Sequence, residues 1–286
     1  GKYIESVGEI MEELIRKILK QNGKCPECNE PLYSWRTKNK DGSERCKPTC
    51  MKCGYKSLRV QEDLQTERIY NDSLKARALD FFKGGSVISN QSLFDCTLEK
   101  FKVVDQETEI ALEKAKSYVN AVLLNKPAHF VLTGKAGSGK SHLGMSVAWE
   151  VLKRTNYDKK ILFISYHELL EQIRFSYNNA DIRKVIEGSL IADIKTADLV
   201  ILDDIGAELG KGVSSSKDFG TSTLNSFLDA RQNQATIITT NLSSEELVNA
   251  YGSRIVSRIF MNSEGYTIKF QKTADKRIKP VIGSIA

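Results

Sequence analysis

Residues 134–141 could hold the phosphate groups of a nucleoside triphosphate. All fixed positions of the P-loop pattern are present, in Gly134, Lys135, Ala136, Gly137, Ser138, Gly139, Lys140 and Ser141. The glycines let backbone N–H groups point inward at phosphates, and the helix predicted over 141–153 adds its positive end. We expect Lys140 to neutralise the β- and γ-phosphates and Ser141 to ligate Mg²⁺.

Two carboxylates and an amide supply the groups that such a loop needs nearby. Asp203 and Asp204 follow the apolar run 199–202, and Asn241 follows the strand-like run 236–239. In open α/β sheets, ligands lie at the carboxyl ends of strands. We therefore expect Asp203 to hold Mg²⁺ through water, Asp204 to polarise the attacking water, and Asn241 to sense the γ-phosphate.

A second kind of chemistry is indicated by the cysteines, because five of the six fall within 25–53. The pairs Cys25/Cys28 and Cys50/Cys53 each form a Cys-x-x-Cys turn, and four thiolates favour a closed, structural Zn²⁺ site. An iron–sulfur cluster stays possible, and Cys46 is a competing ligand. The sixth cysteine, Cys96, is expected to be a core thiol.

These groups need a scaffold, and the apolar pattern predicts one. Short apolar strands at 129–133, 161–164, 199–202, 236–239 and 266–270 alternate with helical stretches such as 109–124. Continuous apolar strands separated by helices predict an α/β fold with a parallel sheet covered on both faces.

The N-terminal part is predicted to be a separate small domain. Residues 4–20 form an amphipathic helix that stops at Asn22-Gly23, and an Asp41-Gly42 turn predicts a hairpin between the cysteine pairs. We assign residues 1–60 to this zinc-binding domain and 61–100 to a helical connector with its break at 84–86. Residues 101–286 form the nucleotide-binding domain.

Composition and charge narrow the class of protein. The 286 residues are 41% hydrophobic and 27% charged, which excludes a mainly disordered chain. No apolar run is long enough to cross a bilayer and the charged start predicts no signal peptide, so a cytoplasmic protein is expected. Residues 1–60 carry 13 Lys and Arg against 8 Asp and Glu. That surplus fits a contact with nucleic acid or an acidic partner, and solvated lysines alone would also produce it.

The order of these motifs resembles an AAA+ ATPase, more narrowly the DnaC/DnaI-type bacterial helicase loaders and the related transposition helper IstB. The resemblance spans about residues 92–280. The motifs that carry it are LEKFKV at 98–103, ALEKAKSYV at 111–119, His142-Leu143 after the P-loop, DDIGAE at 203–208 and GSRIVSRI at 252–259. The Asp-Asp pair and the cysteine module are closer in style to DnaI-type loaders or a phage counterpart than to DnaC.

The resemblance implies a fold and a task. The fold is a five-stranded AAA+ sheet with the Asn241 strand between the P-loop and Asp203 strands. The task is binding a hexameric replicative helicase through the N-terminal helix and zinc module, and placing it on single-stranded DNA. ATP, with ADP as product and Mg²⁺ as cofactor, controls self-association into a ring or spiral; no membrane is involved.

Further residues take roles only through this resemblance. Arg258 matches the arginine finger that reaches a neighbouring subunit, with Arg254 as the alternative, and Arg277 lies near the sensor-2 position. His142 joins the nucleotide site. The helix over 167–179 matches a DNA-contacting insertion, and its candidate contacts are Arg174, Phe175 and Tyr177.

One departure and two rival functions complete the expectations. Many AAA+ enzymes have Glu at the position of Asp204, and the shorter side chain predicts slow or partner-stimulated hydrolysis. The rivals are an IstB-like transposition helper, and an adaptor that uses ATP as a switch with little hydrolysis.

Overall fold

The chain divides into two compact units, residues 1–73 and 74–286. A computed structural model describes residues 2–55, 57–211 and 214–277. Its helices are α1 Lys2–Ile18, α2 Ser57–Leu79, α3 Gln106–Leu123, α4 Lys140–Arg154, α5 Tyr166–Ser176, α6 Ala180–Val185, α7 Ile191–Thr196, α8 Ser214–Ala230, α9 Ser244–Tyr251 and α10 Ser253–Ile259. Its strands are β1 Leu19–Lys24, β2 Pro31–Trp35, β3 Thr49–Cys50, β4 His129–Gly134, β5 Ile161–Ser165, β6 Leu199–Ile205, β7 Ala235–Thr240 and β8 Thr267–Phe270.

The N-terminal unit has one strand more than the sequence predicted. Helix α1 ends at Ile18, and the next six residues form β1, which pairs antiparallel with β2. The predicted helix end at Asn22-Gly23 is therefore wrong. Gly23, with φ of 76°, instead lies where the register of β1 shifts between Gln21 and Lys24. Cross-strand hydrogen bonds outweigh the helical spacing of the last predicted turn.

The turn predicted at Asp41-Gly42 is present. The N–H of Asn39 donates to the carbonyl of Ser43 at 2.9 Å, and Lys38 and Glu44 form an antiparallel bridge. Strand β2 also pairs antiparallel with β3, so the order in this small sheet is β1-β2-β3. The sheet brings the two cysteine turns to one end of the unit, because the first turn precedes β2 and the second follows β3.

The second unit contains the predicted parallel sheet. Its order is β5-β6-β7-β4-β8, and all neighbouring strands are parallel. Alternate side chains enter different apolar clusters: Phe130 and Leu132 of β4 join one cluster, and Val131 joins the other. A sheet buried on both faces explains why its strands are continuously apolar. Strand β7 lies between β4 and β6, as the AAA+ resemblance implied.

The structure differs from the predicted connector over 61–100. The division between the units falls after Ser73, within α2, and Phe82 is fully buried in the apolar core of the second unit. The predicted break at 84–86 leads directly to Val87, which pairs in parallel with Ile164 of the edge strand β5. Covering an exposed strand edge satisfies backbone groups that would otherwise lack partners, so the end of the predicted connector is part of the second unit. Within the described residues, no helix has the length and apolarity to span a membrane.

Candidate functional site

The P-loop follows β4 and wraps around the start of α4. Gly137 and Gly139 have φ of 77° and 104°, a backbone region that favours glycine. A Cβ at Gly139 would lie 2.7 Å from the ring of Phe101, and one at Gly137 would overlap the carboxylate of Asp275. Both glycines are therefore required by backbone conformation and by close neighbours. The inward orientation of the loop's backbone N–H groups toward phosphates stays a prediction.

Lys140 folds back onto its own loop. Its Nζ donates to the carbonyls of Gly134 and Lys135 at 2.7 and 2.8 Å. Burial lowers the pKa of Lys140 to about 8, against the opposing effect of Asp204 and Asp203. The ammonium group is thus held by weak acceptors, which a triphosphate carrying full negative charge would replace.

Asp203 lies at the centre of a buried hydrogen-bond network. Ser141 Oγ donates to its two carboxylate oxygens at 2.8 and 3.0 Å, and Thr239 Oγ1 donates to Oδ1 at 2.6 Å. Burial raises the pKa of the Asp203 carboxyl group, and the two hydroxyl donors oppose that shift. A hydroxyl and a carboxylate converging on one point are hard oxygen ligands, so Ser141 and Asp203 together fit Mg²⁺.

Thr239 is a residue of this network that our sequence analysis missed. Besides donating to Asp203, its hydroxyl accepts the backbone N–H of Asp204 at 2.9 Å. One side chain of β7 therefore holds both acidic residues of β6. The signal that could have found it is the polar end of β7, which the parallel pairing places beside Asp203.

Asp204 and Asn241 flank a cavity of about 530 Å³ whose wall includes Lys140, Ser141 and Thr239. Asp204 has φ of 58°, at the point where the register between β6 and β7 shifts, so its side chain leaves the alternation of the strand. Burial raises the pKa of the Asp204 carboxyl, and Lys140 opposes the shift. The cavity brings the predicted lysine, serine, second aspartate and asparagine together.

The segment after β8 reaches the same cavity. Lys276 donates its backbone N–H to Gly137 at 3.0 Å, and its Nζ lies 3.8 Å from the centre of the Phe101 ring. Arg277 also lines the cavity and pairs with Asp275 at 2.6 Å. Two adjacent cations therefore flank the loop, and either could reach a nucleotide phosphate.

Two neighbours hold this part of the site. The carboxylate of Glu107 accepts the backbone N–H groups of Gln271 and Thr273 at 2.7 and 2.9 Å, which fixes the segment after β8. His142 lines the cavity too, and its Nε2 lies 2.8 Å from the carbonyl of Thr97. Burial lowers the pKa of His142, which favours a neutral ring at neutral pH.

The two candidate arginines of α10 have different surroundings. Arg258 is largely buried: it donates to Asn225 Oδ1 at 2.8 Å and lies 3.2 Å from the carboxylate of Asp229, both on α8. Arg254 is exposed and lines a shallow groove with Tyr251. Arg258 would have to leave Asp229 to reach another subunit, whereas Arg254 already faces solvent.

The four predicted zinc ligands form a cluster. The Sγ atoms of Cys25, Cys28, Cys50 and Cys53 all lie within 4.8 Å of one another. The Cys25–Cys53 and Cys28–Cys50 separations are 3.6 and 3.4 Å. A tetrahedral ion with Zn–S bonds of about 2.3 Å would separate the sulfur atoms by about 3.8 Å, so the cluster fits Zn²⁺ with little adjustment. The competing candidate Cys46 lies outside it.

The backbone explains why the two turns are equivalent. The backbone carbonyl oxygens of Cys25 and Cys50 accept hydrogen bonds from the N–H groups of Asn29 and Gly54 at 2.9 and 3.0 Å. Both donor residues have positive φ. Each turn thus aims two thiols at the same point. Backbone N–H groups, that of Cys53 first, lower the pKa of Cys50 to about 7, whereas burial and neighbouring thiols raise the pKa values of Cys28 and Cys53. Without a metal, the negative charge of the cluster therefore rests mainly on Cys50, and metal binding would release protons from the other thiols.

The predicted DNA contacts lie at the end of α5. Phe175 and Tyr177 are 63% and 55% exposed, so their rings do not pack into the core. Arg174 pairs with Glu171 at 3.1 Å and lies over the ring of Phe219. The structure therefore places exposed aromatic rings and a guanidinium on one short surface.

The sheet order, the P-loop and the acidic end of β6 define an AAA+-type nucleotide-binding protein. The sequence profile of the IstB-like ATP binding protein family matches residues 95–262, and the chain belongs to that family. Family membership implies an ATP site, and the resemblance stated from sequence is confirmed.

Individual relatives agree with the family. The Escherichia coli K12 protein named replicative helicase loader DnaC is 27% identical over 176 residues, 61% of this chain. The match spans 66% of that relative, just under two thirds of its length. The Buchnera aphidicola (Schizaphis graminum) DnaC is 23% identical over 201 residues, covering 70% of this chain and 76% of the relative.

Two solved structures share the fold of the second unit. A crystal structure of the DnaC helicase loader superposes with a TM-score of 0.53 at 18% identity, covering 64% of this chain and all of that one. A crystal structure of DnaI gives 0.52 at 21% identity, covering 67% of this chain and 96% of that one. At these identities the likeness concerns the fold.

Proposed function

We propose that this protein is an ATP-dependent loader of a hexameric replicative helicase, which it delivers onto single-stranded DNA. The observation that carries the proposal is the AAA+-type cavity together with sequence similarity to DnaC over 176 residues. The four-cysteine unit on the same chain supplies a second module suited to holding a partner.

ATP hydrolysis would use the residues around the cavity. Lys140 would leave its loop carbonyls and neutralise the β- and γ-phosphates. Ser141 and Asp203 would hold Mg²⁺, which would supply charge neutralisation at the phosphate oxygens. Asp204 orients and polarises the attacking water, and Asn241 hydrogen-bonds near the γ-phosphate. Because aspartate is one methylene shorter than glutamate, we expect hydrolysis to be slow until a partner completes the site.

The completing group is an arginine from a neighbouring subunit, so ATP would promote a ring or spiral. The family resemblance assigns this role to Arg258, which would have to leave Asp229, and Arg254, which is already exposed, is the alternative. A guanidinium at the γ-phosphate stabilises the charge that develops there.

Two exposed surfaces, on α1 and at the end of α5, are the candidates for binding the helicase and single-stranded DNA. Helix α1 exposes Ile10, Met11 and Leu14 at helical spacing, a face that fits a groove or helix of the helicase. The rings of Phe175 and Tyr177 are placed to stack on bases, and Arg174 to follow phosphates, without sequence specificity.

A loading assay tests the proposal. The replicative helicase of the source organism is incubated with this protein, ATP and circular single-stranded DNA, and helicase on the circle is measured after gel filtration. Loading that needs ATP and is lost in Lys140→Ala supports the proposal. Binding to duplex DNA and a transposase, without any helicase contact, would favour an IstB-like transposition helper. Loading that survives Asp204→Asn would favour a switch without hydrolysis.

A further inference from the structure

One buried carboxyl group takes no part in the proposed hydrolysis. Glu208 is only 5% exposed and lies in the short 3₁₀ helix Ala207–Lys211, just beyond β6. Its Oε2 accepts the backbone N–H of Gly206 at 3.0 Å, and its Oε1 accepts the hydroxyl of Tyr251. Tyr251 is 6% exposed and is the last residue of α9. The carboxyl group therefore joins the end of β6 to the end of α9.

The two ends of this link lead to functional positions. On one side, Gly206 lies two residues after Asp204, and a Cβ there would come 2.5 Å from Leu242, which follows Asn241. On the other side, Tyr251 is followed by Gly252, with φ of 84°, and then by α10 with its two arginines. The link spans the short path from the γ-phosphate side of the cavity to the arginine helix.

The hydrogen bond between Glu208 and Tyr251 should persist when the end of β6 moves. A buried carboxyl group and a buried phenol keep their hydrogen bonds, because water cannot replace a lost partner in the core. A displacement of the β6 end would therefore carry Tyr251 with it instead of breaking the contact. Tyr251 also lines the groove that contains Arg254, so such a displacement reaches the side chain offered to a neighbour.

We propose that Glu208 and Tyr251 are positioning residues that couple the γ-phosphate side of a subunit's own site to the arginines it offers to the next subunit. The inference rests on the proposed trans arginine. The proposal predicts an asymmetric effect. A subunit that has lost the hydrogen bond between Glu208 and Tyr251 should no longer supply its arginine correctly to the neighbouring subunit's ATP site, whereas hydrolysis at its own ATP site should continue.

A mixing experiment with the full chain measures this direction. A donor chain carries Asp204→Asn, which blocks its own hydrolysis, and an acceptor chain carries Arg254→Ala with Arg258→Ala. Hydrolysis by the mixture then reports an arginine acting in trans. Tyr251→Phe is added to the donor or to the acceptor, and Tyr118→Phe in the donor is the matched control. Tyr118 is also a buried tyrosine, but its hydroxyl donates to the carbonyl of Ala128 at 2.8 Å in the other apolar cluster of the unit.

We expect Tyr251→Phe in the donor to lower the mixed rate by up to about tenfold, the effect of losing one buried hydrogen bond. The same change in the acceptor should leave the rate within about twofold, as should Tyr118→Phe in the donor. Glu208→Gln in the donor should retain most of the rate, because the amide can accept from Gly206 and donate to the tyrosine oxygen. Glu208→Ala should repeat the loss.

The coupling would be overturned by equal losses when Tyr251→Phe is in the donor and in the acceptor. It would also be overturned by a loss with Tyr118→Phe, or by no loss with Tyr251→Phe in the donor. Binding of a fluorescent ATP analogue and the melting temperature of each variant separate these results from misfolding. The mixture of donor and acceptor is measured before any link variant is added. If it does not hydrolyse ATP while the unsubstituted chain does and the acceptor keeps its melting temperature, the trans arginine is refuted and the coupling falls with it.

Discussion

Replacing Thr239 by valine should weaken Mg²⁺ binding at Ser141 and Asp203 while the fold is retained. The substitution keeps the β-branched shape and removes a hydroxyl that donates to Asp203 at 2.6 Å and accepts the N–H of Asp204 at 2.9 Å. A hydrogen bond to a charged group contributes about 1.5–3 kcal/mol, and each 1.36 kcal/mol is a factor of ten. We therefore expect half-saturation of ATP hydrolysis to need about 10- to 150-fold more Mg²⁺.

The assay is a Mg²⁺ titration of hydrolysis, paired with binding of a fluorescent ATP analogue in EDTA. Thr240→Val is the matched control, because the Thr240 hydroxyl is equally buried in β7 but donates to the carbonyl of Ile205 at 2.7 Å and touches neither aspartate. Metal-free nucleotide binding should be little changed in both variants. An unchanged Mg²⁺ requirement in Thr239→Val, or an equal rise in Thr240→Val, would refute the role assigned to Thr239.

The same substitution has a pH consequence. The Thr239 hydroxyl stabilises the ionised form of Asp203, whose pKa burial already raises. Without that donor the pKa rises further, so the ionised carboxylate that binds metal is lost at a higher pH as the solution is acidified. We expect the acid limb of the rate profile to shift to higher pH in Thr239→Val and to stay in place in Thr240→Val.

The remaining predictions concern the loop lysine, the cysteines and the arginines. Because burial lowers the pKa of Lys140 to about 8, the affinity for ATP should fall as the pH rises through that value and the ammonium group loses its proton. Binding titrations at a series of pH values measure this fall, which should be absent in Lys140→Ala. Cys50→Ser should release bound zinc and lower the melting temperature of the N-terminal unit, whereas Cys46→Ser, outside the cluster, should retain metal by elemental analysis. Arg254→Ala should abolish the rise of specific ATPase activity with protein concentration at an unchanged melting temperature. Arg258→Ala should also lower the melting temperature, because that side chain joins α10 to α8.

The parts predicted from sequence are those whose signal is local. The P-loop, the acidic end of β6 and the Cys-x-x-Cys turns are each contiguous in sequence, so residue types and spacing alone pointed to Lys140, Asp203 and the four clustered cysteines. The continuous apolar strands gave the correct parallel sheet for the same reason. The roles of Arg254, Arg277 and the aromatic surface near α5 stay predictions, because they depend on partners that the chain alone does not contain.

The parts missed from sequence depend on pairing between distant segments. Helical spacing continues through Leu19, but β1 exists because β2 pairs with it, and only the sheet decides between the two. Val87 joins β5 for the same reason, since an apolar residue after two glycines gives no sign of a strand partner 77 positions later. Thr239 became a site residue only through the register that places β7 beside β6.

The nucleotide site also extends beyond the part of the chain that the family profile matches. That match ends at residue 262, yet Lys276 bonds to the loop at Gly137, and Glu107 holds the segment that carries it. The Glu107 carboxylate accepts the backbone N–H groups of Gln271, Lys272 and Thr273. Three charge-assisted hydrogen bonds hold this segment in place although it has no regular secondary structure of its own. In Glu107→Ala the segment that carries Lys276 and Arg277 would lose three of its backbone hydrogen bonds and keep those of Thr273 to Asp105 and of Lys276 to Gly137. We therefore expect weaker ATP binding at an unchanged P-loop, which a binding titration with a fluorescent ATP analogue measures. The completeness of the site rests on this contact between α3 and the segment after β8 as much as on the loop itself.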